Sequence, residues 1–131
     1  KLTCCTSHNN FIGEAAGSTA NCGCHNNFIG YTAGYGATNS SHSTFIGMGA
    51  GSNTCYVSNS VFIGCNAGTS ASSISNSIAI GSGAVVTGSG QLVLGSNCNQ
   101  LCLGGGVNFT GFSCDSLCIN INGSSFRIPL V

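Results

Sequence analysis

Residues 26–34 read N-N-F-I-G-Y-T-A-G, and the chain returns to this phrase repeatedly. Phe-Ile-Gly stands at residues 11–13, 28–30, 45–47 and 62–64, with Ala79-Ile80-Gly81 as a fifth copy. The glycines Gly13, Gly30, Gly47, Gly64 and Gly81 fall 17 residues apart. Three residues after each comes an alanine: Ala16, Ala33, Ala50, Ala67 and Ala84. The next position holds Gly17, Gly34, Gly51 and Gly68, then Val85. Twelve residues after the first four glycines stand His25, His42, Asn59 and Asn76, and His8 fits the same column one coil earlier. The step then shortens, to 14 residues between Gly81 and Gly95 and to nine between Gly95 and Gly104. Self-similarity at a fixed short period is the signature of a repeat architecture.

The period restricts the fold. Helix-pair repeats need about 33 residues or more, and no apolar stripe of helical spacing runs through the chain. Glycine and β-branched residues are poor helix formers. Seventeen residues hold two short strands and two turns, which is one coil of a parallel β-roll or β-solenoid. Coils of this kind stack about 4.8 Å apart, so identical side chains form ladders. The glycine after each Phe-Ile pair is expected at a sharp corner, through positive φ or close backbone approach.

Adjacent residues of a strand point to opposite faces. A narrow roll with one wet face should therefore alternate apolar with polar. Here both columns are apolar: Phe11, Phe28, Phe45 and Phe62 in one, Ile12, Ile29, Ile46, Ile63 and Ile80 in the other. Strands buried on both faces read in this way. One column is expected to fill the coil and the other to meet a partner surface, since an exposed ladder would be a large apolar patch. Closed symmetric association is the usual solution for a single chain type.

Residues 76–84, N-S-I-A-I-G-S-G-A, resemble the YadA-like head repeat of trimeric autotransporter adhesins, whose hallmark is N-S-x-A-I-G followed by small residues. The 14-residue step to Gly95 is similar to the common period of that repeat. The upstream N-N-F-I-G-x-x-A-G form resembles repeats of phage and virus tail fibres. The resemblance spans roughly residues 8–104. It implies a parallel β-roll in which three chains share one axis, and so a homotrimer.

Composition excludes several other classes. The 131 residues carry two basic side chains, Lys1 and Arg127, and two acidic ones, Glu14 and Asp115. There is no basic footprint for nucleic acid or for an anionic membrane. No apolar run of about 18 residues exists to span a bilayer as a helix. With 21 glycines the chain could be suspected of disorder, but it is 42% hydrophobic and almost uncharged, the reverse of the disordered signature. The chain starts in mid-pattern at Lys1, and a fragment or mature product is expected.

Beyond Gly104 the pattern changes. The expected organisation is β-roll repeats over residues 1–104, a linker over 105–113 and a C-terminal hairpin or cap over 114–131. Residues 117–121 and 124–131 read as two strands around Asn122-Gly123, a strong hairpin signal. A cap is needed because the open end of a solenoid exposes unpaired strand edges.

Ten cysteines suggest an oxidising, extracellular setting. Cys5 and Cys22 share a column in successive coils and lie within disulfide reach. Cys114 and Cys118 flank one short segment and are candidates for a local or interchain pair. The alternative is that several cysteines are free residues at ladder positions otherwise held by Ser or Asn. Cys22-x-Cys24-His25 and the histidine column could suggest zinc, yet no second Cys-x-x-Cys knuckle follows. The column continues as Asn59 and Asn76, which hydrogen bonding at a turn explains. No metal, cofactor or catalytic residue is expected. Glu14 and Asp115 lie in different regions, no nucleophile elbow occurs, and the glycines at 104–106 lack the lysine of a phosphate loop.

The expected function is a structural segment of an extracellular viral or phage tail fibre or surface filament that supports host attachment. The alternative is a cellular trimeric adhesin head. Either would meet a cell-surface receptor or glycan through the variable turns at 18–24, 35–41, 52–58 and 69–75 or through the C-terminal tip, because loops on rigid scaffolds carry recognition. An ice-binding solenoid would need a threonine ladder, and no column supplies one.

Overall fold

The computed structural model describes residues 6–96, 116–121 and 124–129. The chain divides into two compact units, Lys1–Leu101 and Cys102–Val131. The first is a parallel β-solenoid of about five turns. Its main sheet contains six strands, Asn10–Ile12, Asn27–Ile29, Thr44–Ile46, Val61–Ile63, Ile78–Ile80 and Leu92–Leu94, each paired in parallel with the strand of the next coil. The register sets Phe11 on Phe28, Phe28 on Phe45, Phe45 on Phe62, Phe62 on Ala79 and Ala79 on Val93. The columns read from the sequence are therefore vertical in space.

A second sheet closes the coil. Asn39–Ser41, Tyr56–Ser58 and Ser73–Ser75 pair in parallel, and Thr6–Ser7 pairs with Gly23–Cys24 below them. A bridge from Cys22 to Asn39 joins the two sets. Gly68–Thr69 and Val85–Val86 form a further short pair in the upper coils.

The corners explain the invariant spacing. After each Phe-Ile pair the backbone enters a tight turn whose closing bond runs from the alanine N–H to the glycine carbonyl, as from Ala33 to Gly30 at 3.2 Å and from Ala50 to Gly47 at 3.2 Å. Positive φ falls at the third residue of each turn, Ala15, Thr32, Gly49, Asn66 and Gly83, as in a type II turn. The corner glycines themselves have φ between 123° and 134°. A Cβ on Gly30 would stand 2.6 Å from the carbonyl oxygen of Gly47. Both expected reasons for glycine, conformation and close approach, hold at this column.

The phenylalanine column is the one that fills the coil. Phe28, Phe45 and Phe62 are fully buried, and their rings stack at centroid distances of 4.6 and 5.0 Å, within 5° of parallel. Gly34 and Gly51 make room for them, since a Cβ at either would collide with the ring of Phe28 or Phe45. Where phenylalanine gives way to Ala79, the glycine column gives way to Val85, and buried Val86 and Ile74 supply apolar volume. Beside the rings runs a buried polar column of Asn26, Ser43, Ser60 and Ser77. Its side chains are satisfied within the stack: Asn26 Oδ1 accepts from the Ser43 N–H at 3.1 Å, and Ser60 Oγ accepts from the Ser77 N–H at 3.2 Å. Buried polar groups need such partners.

The 14-residue step removes three residues from the variable side. Ile78 N–H donates to the Gln91 carbonyl, while Gln91 Oε1 accepts from the N–H groups of Thr87 and Gly88. In the second unit, Ser116–Ile121 and Ser124–Pro129 pair antiparallel, with Ser116 opposite Pro129 and Ile121 opposite Ser124. The expected linker at 105–113 and the Asn122-Gly123 turn lie outside the described residues.

Candidate interaction surface

In the three-residue strands of the main sheet, the central residue points inward and its two neighbours point out. The outer face thus carries two rows. One is Ile12, Ile29, Ile46, Ile63, Ile80 and Leu94. The other is Asn10, Asn27, Thr44, Val61, Ile78 and Leu92. Every residue of the first row keeps water-accessible surface, from 61% at Ile12 to partial exposure at Ile46 and Ile63. The isoleucine ladder is therefore the outward column, left open among the described residues. In the second row Asn10 Nδ2 donates to Asn27 Oδ1 at 2.8 Å, a polar rung-to-rung ladder that covers the lower coils.

A third row begins just past the corner glycine with Glu14, Tyr31, Met48 and Cys65. Their carbonyls accept from the N–H groups of Thr32, Gly49, Asn66 and Gly83 one coil on, at 2.8–2.9 Å, so this row also stacks vertically. Tyr31 and Met48 are exposed.

The histidine column lies at the corner that joins the second sheet to the main one. His8, His25, His42, Asn59 and Asn76 all have φ between 50° and 61°. This left-handed backbone accounts for a column restricted to His and Asn, because those residues tolerate it better than most. Hydrogen bonding at the turn is a smaller part of the explanation: His8 Nδ1 meets Ser7 Oγ at 3.1 Å. The imidazoles are exposed and stack at 4.8 and 4.9 Å, within 9° of parallel. Ring planes so arranged aim the nitrogen lone pairs side by side rather than toward one point. Among the described residues no group of three His, Cys, Asp or Glu is disposed to hold a metal ion.

Cys24, Cys55 and Cys65 are free thiols. Cys22 is not one of them. Its N–H donates to the Thr38 carbonyl at 2.8 Å. The other disulfide candidates, Cys5, Cys114 and Cys118, lie where no side chain is described. Of the ladder residues foreseen from the sequence, the structure stacks the phenylalanines in one column, with Phe28, Phe45 and Phe62 interior and Phe11 exposed, and brings all the isoleucines onto one outer face. The third row was not foreseen. Its only signal was the pair Tyr31 and Met48 at one phase of the repeat.

No family model, curated protein or solved structure matches this chain.

Proposed function

We propose that this chain is a non-enzymatic segment of an extracellular homotrimeric fibre, of the viral tail-fibre or surface-filament kind, that supports attachment to a host surface. The carrying observation is the isoleucine and leucine row left open along the whole main sheet. Burying what remains exposed of each such side chain is worth on the order of 1 kcal/mol. A single rung could not offset the roughly 4–15 kcal/mol of freedom lost on association, whereas six rungs per chain, repeated on every chain, can. Three subunits, rather than two, follow from the resemblance of the repeat to trimeric β-rolls. The N-S-I-A-I-G coil at 76–81 favours a second reading on the same assembly, a cellular adhesin head.

The near absence of charge suits a passive, neutral shaft. Attachment would fall to the Ser-, Thr- and Asn-rich turns or to the paired strands Ser116–Ile121 and Ser124–Pro129, which we assign as a C-terminal hairpin cap. Mass determination in solution, with and without reductant, tests the assembly. The expected result is a trimer that survives dilution, with the Cys5–Cys22 disulfide inside each chain. A stable monomer at micromolar concentration would refute the reading.

A further inference from the structure

The apolar surface on the outside of the solenoid does not run straight up the stack. In the second and third coils it comprises the isoleucine row and the row past the corner: Ile29 with Tyr31, then Ile46 with Met48. There the opposite row is polar, Asn27 and Thr44. From the fourth coil the pairing changes sides. Ile63, Ile80 and Leu94 are joined by Val61, Ile78 and Leu92, while the row past the corner becomes Cys65, Ser82 and Ser96. The middle of the stripe thus moves by about two residues, on the order of 7 Å, while the stack rises by roughly 14 Å. Other exposed bulky residues do not form such a track. Tyr35 stands between Ser18 and Ser52 in its column, and Tyr56 between Asn39 and Ser73.

We infer that sister chains meet along this oblique stripe and so wind around one another instead of standing parallel as straight rods. The occupant is another copy of the same chain. An identical neighbour in the same register presents its own apolar pair at each level from the second coil up, and no charged side chain stands in the stripe at those levels; Glu14 lies one coil below them. The physical logic is that of a coiled coil, in which drift of the apolar seam around each member forces the members to supercoil. Contact then passes from the corner side, at Tyr31 and Met48, to the histidine side, at Ile78 and Leu92. A straight seam would use the isoleucine row alone and leave Met48 in water. The inference rests on the trimeric reading above.

Met48 is the single methionine, which makes it a built-in reporter. The intact protein would be treated with dilute hydrogen peroxide and the rate of sulfoxide formation compared with that of the chain unfolded in denaturant. Mass under native conditions would be measured in parallel. Ile78→Asn and Leu92→Asn would be compared with Thr44→Asn for the temperature at which the assembly dissociates. Winding along the stripe predicts a trimer whose Met48 oxidises at least tenfold more slowly than in the unfolded chain. It also predicts that Ile78→Asn and Leu92→Asn lower the dissociation temperature while Thr44→Asn leaves it in place. A trimer in which Met48 oxidises at the unfolded rate overturns the oblique path but spares the assembly. So does a trimer in which all three variants dissociate alike. A monomeric chain overturns both, and a monomer with protected Met48 shows that the chain covers the stripe with its own second unit.

Discussion

Ser40 is the residue at which the interior is least well served. Its hydroxyl is buried and finds no hydrogen-bond partner, while its carbonyl accepts from Asn26 Nδ2. The same column holds Val57 and Ile74 in the coils above, both buried. An orphaned buried hydroxyl costs about 1–3 kcal/mol. Ser40→Ala removes the hydroxyl and leaves the carbonyl contact intact. It should raise stability by about 1 kcal/mol, read as a higher midpoint in urea with an unchanged slope; a lower midpoint would mean that the hydroxyl has a partner. This orphan was invisible in the sequence, where Ser40 is one of several serines in a variable stretch. The left-handed columns were half legible. Gly49, Asn66 and Gly83 at one phase of the repeat mark positive φ in the usual way, yet Ala15 and Thr32 occupy the same conformation against their own preference. Bonds to the next coil hold both turns against the local cost, from the Thr32 N–H to the Glu14 carbonyl and from the Gly49 N–H to the Tyr31 carbonyl, each 2.9 Å.

At the scale of the element, the unit is the 17-residue coil, and most of it could be read directly. A glycine, an alanine three residues later and an inward phenylalanine two residues earlier determine a turn and a strand with little freedom left. Which of Phe and Ile faces inward could not be read, because both are apolar. The structure decides it through Gly34 and Gly51, whose missing side chains leave the space that the rings fill. Coils contact only their neighbours, so stability is close to a sum over units and interfaces. Deleting residues 39–55 joins Thr38 to Tyr56 and restores the register one coil lower. The product should keep the far-ultraviolet circular dichroism and cooperative unfolding of the parent. Deleting residues 46–61 instead joins Phe45 to Phe62 and puts a one-residue slip inside a main-sheet strand, so that the inward ring and the Gly64 corner cannot both keep their places. That chain should lose cooperative unfolding, and equal behaviour of the two deletions would show that register does not govern the stack.

For the whole molecule, one apolar ladder lies inside and the other outside, so on the proposed trimer a variant can break assembly without breaking the fold. Phe45 stacks between Phe28 and Phe62 in the interior, whereas Ile46 lies on the outer face. Ile46→Asp should therefore leave a folded chain that sediments as a monomer, and Phe45→Asp should abolish the fold itself. A trimer retained by Ile46→Asp would remove the isoleucine row from the assembly. That one ladder must lie on the outside was legible, since no narrow roll can hide both alone. Which rows share a level with it, and what stands just past each corner, was not legible.

The bonds that join one coil to the next point along the axis of the stack, as do those from Gly30 N–H to the Ile12 carbonyl and from Gly47 N–H to the Ile29 carbonyl, both 2.8 Å. A tensile load on that axis bears on one rung at a time, peeling it open as a zip opens. Each coil released lets out about 55 Å of slack, given a reach of about 3.4 Å per residue, before the next takes the strain. A shaft made of such coils yields in steps and absorbs work at each, so a tether under drag would lengthen before it breaks.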